Sequence, residues 1–307
     1  GYTLATLINN GPIVVDDPSQ PTVWRPHNDK RTFSGPTRLK EALVHSLNLV
    51  SIRILDDLGF DYTIDFASRF GFDKKQLPRG LSLALGTLSV SPMDLTRAFA
   101  VFANGGYKIE PYLIDHITDN DGKTLLQAKP ISVCHECQPE NTNAVNIAPR
   151  VIPAEVAFFM YKAMQEVIQR GTGSAARVLN RADIAGKTGT TNDQVDTWFA
   201  GYNSQIVTTT WVGFDTPQPL HEYAASLALP MWIDFMKVAL RNLAEKEPTQ
   251  PEDVVAVRID PNTGLLARPN QDNAITEYFR EQDVPTADES TNPENAATHG
   301  GGDENLF

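Results

Sequence analysis

A chain of 307 residues is long enough for one large domain or two modest ones. Its 41% hydrophobic and 21% charged residues are the composition of a globular protein. A net charge of −12 argues against a nucleic-acid partner, which would need clustered Lys and Arg, and apolar stretches such as Ile206 to Phe214 fall far short of the roughly 20 residues of a membrane-spanning helix.

Residues 1 to 36 read mostly as loop, punctuated by Pro12, Pro18, Pro21, Pro26 and Pro36. Thr37 stands where a helix N-cap would, before Arg-Leu-Lys-Glu-Ala-Leu, and Leu39, Ala42 and Leu43 keep helical spacing up to His45-Ser46-Leu47-Asn48. From Val50 to about Gly105 the apolar residues recur at i, i+3, i+4 in three sets, around Ile52, Ile64 and Leu95. Gly71 and Gly105-Gly106 mark helix stops. Tyr112 to Ile117 has strand composition, and Asp119-Asn-Asp-Gly122 is a hairpin turn.

Residues 129 to 150 are polar and irregular and contain both cysteines, Cys134 and Cys137. A Cys-x-x-Cys pair fits metal, redox chemistry or a small disulfide. Zinc needs about four ligands and no second pair exists, so a local disulfide or free thiols in a surface loop is the expectation. Ala154 to Gln169 is an amphipathic helix, with Val156, Phe159, Met160, Ala163, Met164 and Val167 on one side and Gly171 after its end. Ile184 to Thr191, Thr197 to Tyr202 and Ile206 to Phe214 are three strands whose short links imply antiparallel pairing. Leu229 to Glu245 reads as a helix and Val254 to Ile259 as a strand, followed by a turn at Asp260 to Gly264. From Asp283 onward the chain is acidic, polar and Gly-rich, the composition of a disordered tail.

The chemistry concentrates in Lys187-Thr188-Gly189-Thr190. Side chains alternate along a strand, so the Thr188 and Thr190 hydroxyls share one face while Lys187 and Gly189 lie on the other. Gly189 lets a ligand approach the backbone. Two hydroxyls, an ammonium and free N–H groups suit a carboxylate and a developing oxyanion. An exposed edge strand with a solvated Lys would give the same tripeptide. Ser46-Leu47-Asn48 narrows the choice: a Ser and an Asn two apart after a helix can both face a cleft, the hydroxyl relaying a proton and the amide holding a neighbouring Lys and a substrate amide. Ser-x-Asn followed by Lys-Thr-Gly belongs to the motif set of serine acyl-transfer enzymes that β-lactams attack.

With these motifs go Arg38-Leu-Lys-Glu-Ala-Leu-Val-His-Ser-Leu-Asn48, Leu81-Ser-Leu-Ala-Leu-Gly86, Ala100-Val-Phe-Ala-Asn-Gly-Gly106, Asp183-Ile-Ala-Gly-Lys-Thr-Gly-Thr-Thr-Asn-Asp193, Trp198-Phe-Ala-Gly-Tyr202 and Ala228-Leu-Pro-Met-Trp232. Together they resemble the transpeptidase domain of class A penicillin-binding proteins, nearest the 1a type of Gram-negative bacteria, over residues 1 to about 285. The resemblance implies an α+β, β-lactamase-like transpeptidase fold, with an antiparallel sheet flanked by helices. It divides the chain into a transpeptidase domain over residues 1–247, a C-terminal extension over 248–282 and the tail over 283–307. It implies peptidoglycan stem peptides as substrates, β-lactams as ligands and no cofactor. Cell-wall synthesis regulators are expected partners, and the location is the periplasmic face of the inner membrane. It implies that Ser46 relays a proton to the leaving amine, that Asn48 positions the substrate amide and the general-base Lys, and that Lys187 supports Ser46. Thr188 and Thr190 would bind the substrate carboxylate beside Gly189, and the Thr190 N–H would serve the oxyanion hole.

One departure matters. The family needs Ser-x-x-Lys for nucleophile and base, and no Ser of this chain has Lys three residues on. Thr37-x-x-Lys40 has the spacing but belongs to the segment before Ser46. The chain starts with Gly, as a fragment or processed product would, and the resemblance places Ser-x-x-Lys shortly upstream, so the expectation is truncation just after the nucleophile helix, with the family's membrane anchor and glycosyltransferase domain further upstream and an inactive chain in isolation. The alternatives are a catalytically silent binding module of the same fold and a serine β-lactamase, whose deacylating Glu-x-x-Leu-Asn is absent. His45 beside Ser46 is a rival base, and a metallohydrolase is disfavoured because the six His are scattered without His-Glu-x-x-His.

Overall fold

A computed structural model describes residues 1–15, 23–134 and 146–287. Its centre is a three-stranded antiparallel sheet of β5 (Ala185–Thr190), β6 (Thr197–Tyr202) and β7 (Val207–Val212), in that order. The register pairs Lys187 with Ala200 and Thr188 with Phe199. The strands follow the sequence expectation to within two residues at each end.

Alternation along β6 sets the two faces of the sheet. Phe199 and Gly201 point to α6 (Ala228–Ala239), where Trp232 lies on Phe199 with ring centroids 4.9 Å apart. A Cβ on Gly201 would stand 2.7 Å from the Trp232 ring, so the close packing of helix on strand requires glycine there. Ala200 and Tyr202 point the other way, and Tyr202 clusters with Tyr161 and Met164 of α5 (Ala154–Arg170) and Phe99 of α4 (Pro92–Ala103). Helices thus cover both faces, as the fold class requires.

Several expectations need correction. Thr37 does not cap a helix. It lies in β2 (Gly35–Arg38), paired with Ile8 of β1 (Leu7–Asn10), and its Oγ1 donates to Gly35 O. The supposed N-terminal loop therefore contains a strand. Helix α1 is only Leu39–Val44 and starts from Arg38 with no side-chain cap. The buried side of α5 is Ala157, Phe158, Tyr161, Ala163, Met164, Val167 and Ile168, so Val156, Phe159 and Met160 sit at its margin. The sheet seats the Tyr161–Met164–Ile168 row, and the neighbouring apolar row is left half-covered. Of Tyr112 to Ile117, only His116 and Ile117 are in a strand, β3 (His116–Thr118), pairing with β4 (Thr124–Gln127), while Tyr112, Leu113 and Ile114 stay exposed. Helix α6 stops at Ala239, not Glu245, because Arg241 and Leu243 turn back with i→i−3 bonds to Val238 and Leu240.

Helices α2 (Asn48–Leu58) and α3 (Phe60–Ser68) meet at Gly59, whose φ of +77° breaks the helical path. Strands β8 (Val254–Ile259) and β9 (Ile275–Arg280) form a separate antiparallel hairpin beyond the sheet, and Ala5 packs on its Ile259 and Phe279. Cys134 is disulfide-bonded, and Cys137, the other cysteine of the chain, lies outside the described residues. The expected acidic tail lies outside them from residue 288 on, while Asp283 pairs with Arg280 and Ala287 bridges to Leu266.

Candidate active site

Two segments 141 residues apart in sequence meet at one hydrogen bond: Lys187 Nζ donates to Ser46 Oγ at 2.9 Å. Ser46 sits in the turn between α1 and α2 with a φ of 54°. Its N–H donates to Leu43 O, and the next N–H, of Leu47, donates to Ala42 O, so helix-end bonds hold the serine in this left-handed conformation. A non-glycine residue held there fits a site where geometry outranks local comfort. The Ser46 side chain faces solvent on one side and Lys187 on the other.

Lys187 is half-buried in the edge strand of the sheet and also donates to Thr188 O at 2.9 Å. Burial pushes its ammonium down to about 8, because the charged form loses water that two hydrogen bonds replace only in part. On an edge strand alternate backbone N–H groups remain open to a ligand.

Thr188 and Thr190 lie on the opposite face of β5 from Lys187, as alternation requires. Both hydroxyls are engaged. Thr188 Oγ1 is 2.6 Å from Thr172 Oγ1, and Thr190 Oγ1 accepts the Ala224 N–H at 3.2 Å. Thr190 keeps its hydroxyl proton free to donate outward, since that side chain is exposed. Gly189 leaves the strand open between them, with only Trp198 Cβ near where its own Cβ would be, at 3.4 Å.

Asn48 begins α2, two residues past Ser46, and its Nδ2 donates to His27 O at 3.0 Å. Among the described residues it makes no hydrogen bond to Ser46 or Lys187. Sequence reasoning missed its neighbour Asn28, which is buried. Asn28 Oδ1 accepts the Leu49 N–H at 3.3 Å, while its Nδ2 donates to Asn10 Oδ1 and Thr32 O. It gives the first turn of α2 the acceptor that Leu47 cannot supply. Thr172 was missed as well. Its only signal was a place in Gly171-Thr172-Gly173 after α5. His45 turns away from Ser46, with Nε2 3.7 Å from Glu41 Oε2.

The arrangement offers a hydroxyl bonded to a lysine of lowered proton affinity, two threonine hydroxyls and an open strand edge. This set can pass a proton and hold an anionic peptide end. Among the described residues no group of three His, Cys, Asp or Glu is placed to hold a metal, and no helix is long and apolar enough to cross a membrane.

Residues 3–232 match the penicillin-binding protein transpeptidase domain family. The chain is 43% identical over 321 aligned positions to penicillin-binding protein 1A of Pseudomonas aeruginosa, and 38% identical over 320 to that of Vibrio cholerae. Each alignment takes in 93% of this chain, which spans only 39% of either relative. Among solved structures, penicillin-binding protein 1A from Haemophilus influenzae superposes with a TM-score of 0.85 at 38% identity, covering 93% of this chain and 46% of that one. The chain belongs to the penicillin-binding protein transpeptidase family.

Proposed function

We propose that this chain is the substrate-holding part of a serine D,D-transpeptidase that cross-links peptidoglycan stem peptides, acting within a longer, bifunctional polypeptide. The observation that carries the reading is the 2.9 Å bond between Lys187 Nζ and Ser46 Oγ, which joins the Lys-Thr-Gly strand to the Ser-x-Asn turn. The domain family and the relatives support it. The attacking serine and its lysine base come from sequence outside these residues, a reading supported by the lack of Ser-x-x-Lys among the 307.

In the first half-reaction the serine oxygen attacks the carbonyl carbon of the penultimate D-Ala and the lysine base takes its proton. The C–N bond to the terminal D-Ala breaks, and its nitrogen leaves with a proton relayed through Ser46 Oγ. Lys187, beside that oxygen, favours the charge that develops during the relay. Thr188 and Thr190 hold the terminal carboxylate, and the Thr190 N–H at the strand edge faces the carbonyl oxygen as it becomes an oxyanion. The amine of a second stem then attacks the ester carbon, the cross-linking amide forms, and the serine recovers its proton. Asn48 guides the substrate amide, for which its Nδ2 must exchange the His27 carbonyl for substrate. β-Lactams would acylate the same serine, and the protein would work at the periplasmic face of the inner membrane.

The test is D-Ala release from a stem-peptide substrate by the longer protein. Ser46→Ala and Lys187→Ala should each slow release about 10²- to 10⁴-fold, the usual worth of positioned proton transfer. Unchanged release in both variants would sink the reading.

A further inference from the structure

We propose that Glu277, on β9 of the C-terminal hairpin, is a positioning residue for the Ser46–Lys187 pair, acting through Lys40 and α1. The proposal rests on the reading of that pair as proton-relay machinery.

Six alternating charges from three distant parts of the chain close into a ring. Arg38 NH2 lies 2.8 Å from Glu41 Oε1, and Glu41 accepts a two-pronged contact from Arg170 at 2.6 and 2.7 Å. Arg170 also meets Glu166, whose Oε1 is 2.7 Å from Lys40 Nζ. Lys40 Nζ then lies 2.8 Å from Glu277 Oε2, and Arg38 NH1 lies 3.7 Å from the same oxygen. Arg38, Lys40 and Glu41 stand at the start of α1, Glu166 and Arg170 at the end of α5, and Glu277 in the middle of β9. Glu277 is fully buried and Lys40 is 4% exposed.

Three facts give the ring a positional role. First, α1 has six residues and no side-chain N-cap, so tertiary contacts set where it sits: the Leu39 and Lys40 N–H groups donate to Thr6 O and Leu4 O, Ala42 and Val44 are buried, and the ring holds the Lys40 side chain. Second, Ser46 follows its last residue by two, and a helix of this length spans about 9 Å, so a shift at Lys40 is carried rigidly to the serine. Third, the far end of α1 is packed against the wall of the site, with Val44 fully buried, Leu43 beside the Tyr161 and Met164 cluster, and Val44 O accepting the Thr172 N–H at 3.3 Å, so it moves with the elements around it. Buried ion pairs add little net stability over apolar packing, but they tolerate few geometries. A ring that includes the hairpin thus ties the C-terminal extension to a hydrogen bond that is lost beyond about 3.5 Å.

The lowering of the Lys187 ammonium has burial as its cause, and among the described residues no ion pair joins it to the ring, so the ring is proposed to reach it by placing the Ser46 turn over it. That separates position from charge. The experiment is an NMR titration of the 307-residue chain with isotope-labelled lysine side chains, the Lys187 signal being assigned with Lys187→Arg. Glu277→Gln should raise the Lys187 midpoint by about one pH unit or more as water reaches the ammonium. Glu166→Gln, which removes a half-exposed member and leaves the Lys40–Glu277 pair, should move it by no more than a few tenths. An unmoved midpoint in a folded but less stable Glu277→Gln protein would overturn the proposal and make the ring purely structural. Should Glu277→Gln fail to fold, Lys40→Arg carries the test, since it keeps both charges and alters only their geometry. A raised midpoint in Lys40→Arg supports the proposal and an unmoved one overturns it. Neither readout involves turnover, so failure of the Lys187→Ala activity test would remove the transpeptidase reading without touching this result.

Discussion

Thr172 and Thr188 share a 2.6 Å hydrogen bond between their hydroxyls. The Thr172 N–H donates to Val44 O, so one residue outside the recognised motifs touches the end of α1 and the Lys-Thr-Gly strand at once. Its place follows from Gly171, where a Cβ would come 2.4 Å from Val44 O, so glycine is needed for the chain to turn this close to α1.

Replacing Thr172 by Val keeps the shape of the side chain and removes the hydroxyl. The half-buried Thr188 hydroxyl then loses its partner, and stability should fall by about 1 kcal/mol. Urea denaturation of the variant checks this, with an unchanged midpoint as the contrary result.

Lys187 predicts a pH dependence with a definite sign. Its folded pKa of about 8 lies below the ordinary 10.5. Below pH 8 both folded and unfolded states carry the proton, and the folded state bears the cost of burying it. Between about 8 and 10.5 the unfolded state holds more protons, so this contribution to stability rises with pH. Unfolding free energies of wild type minus Lys187→Met should therefore increase across that window. A flat difference would contradict the burial of the ammonium.

The charge ring predicts the opposite limb. Burial alone would raise the carboxyl groups of Glu41 and Glu166, but Arg170 with Arg38 for the first, and Lys40 with Arg170 for the second, outweigh it and hold both below the usual carboxylate range. Their stabilisation is complete above the ordinary Glu value of 4.5 and is lost as pH falls through the lowered values. Acid unfolding of Arg170→Met should accordingly begin at higher pH than in wild type, as read by circular dichroism.

Trp232 is fully buried, lies on Phe199 and donates from Nε1 to Thr208 O at 3.2 Å. Trp232→Ala should cost about 3–5 kcal/mol in chemical denaturation, the range for truncating a large core aromatic.

The sequence made the central sheet, the β3–β4 turn and α5 legible because each is a local pattern with its own period and punctuation. The β1–β2 ladder was not legible, since Ile8 and Thr37 pair across an intervening stretch full of prolines and Thr37 has the composition of a cap. The face of α5 was rotated because Phe158 and Phe159 are equally apolar and only a distant partner, Tyr278 of β9 packed on Phe158, decides between them. Ser46 and Lys187 were legible as motif residues, and a 2.9 Å hydrogen bond joins them. Thr172, Asn28 and the charge ring were not, because their meaning lies in partners up to 237 residues away.

The most direct test is mass spectrometry after incubation with a β-lactam, run on the 307-residue chain and on the longer polypeptide proposed to contain it. No adduct is expected on the shorter chain, one is expected on a serine outside the 307 residues in the longer protein, and Lys187→Ala should slow that adduct about 10²-fold or more. A covalent adduct on the 307-residue chain, or labelling of Lys187→Ala at the wild-type rate, would contradict the proposed function.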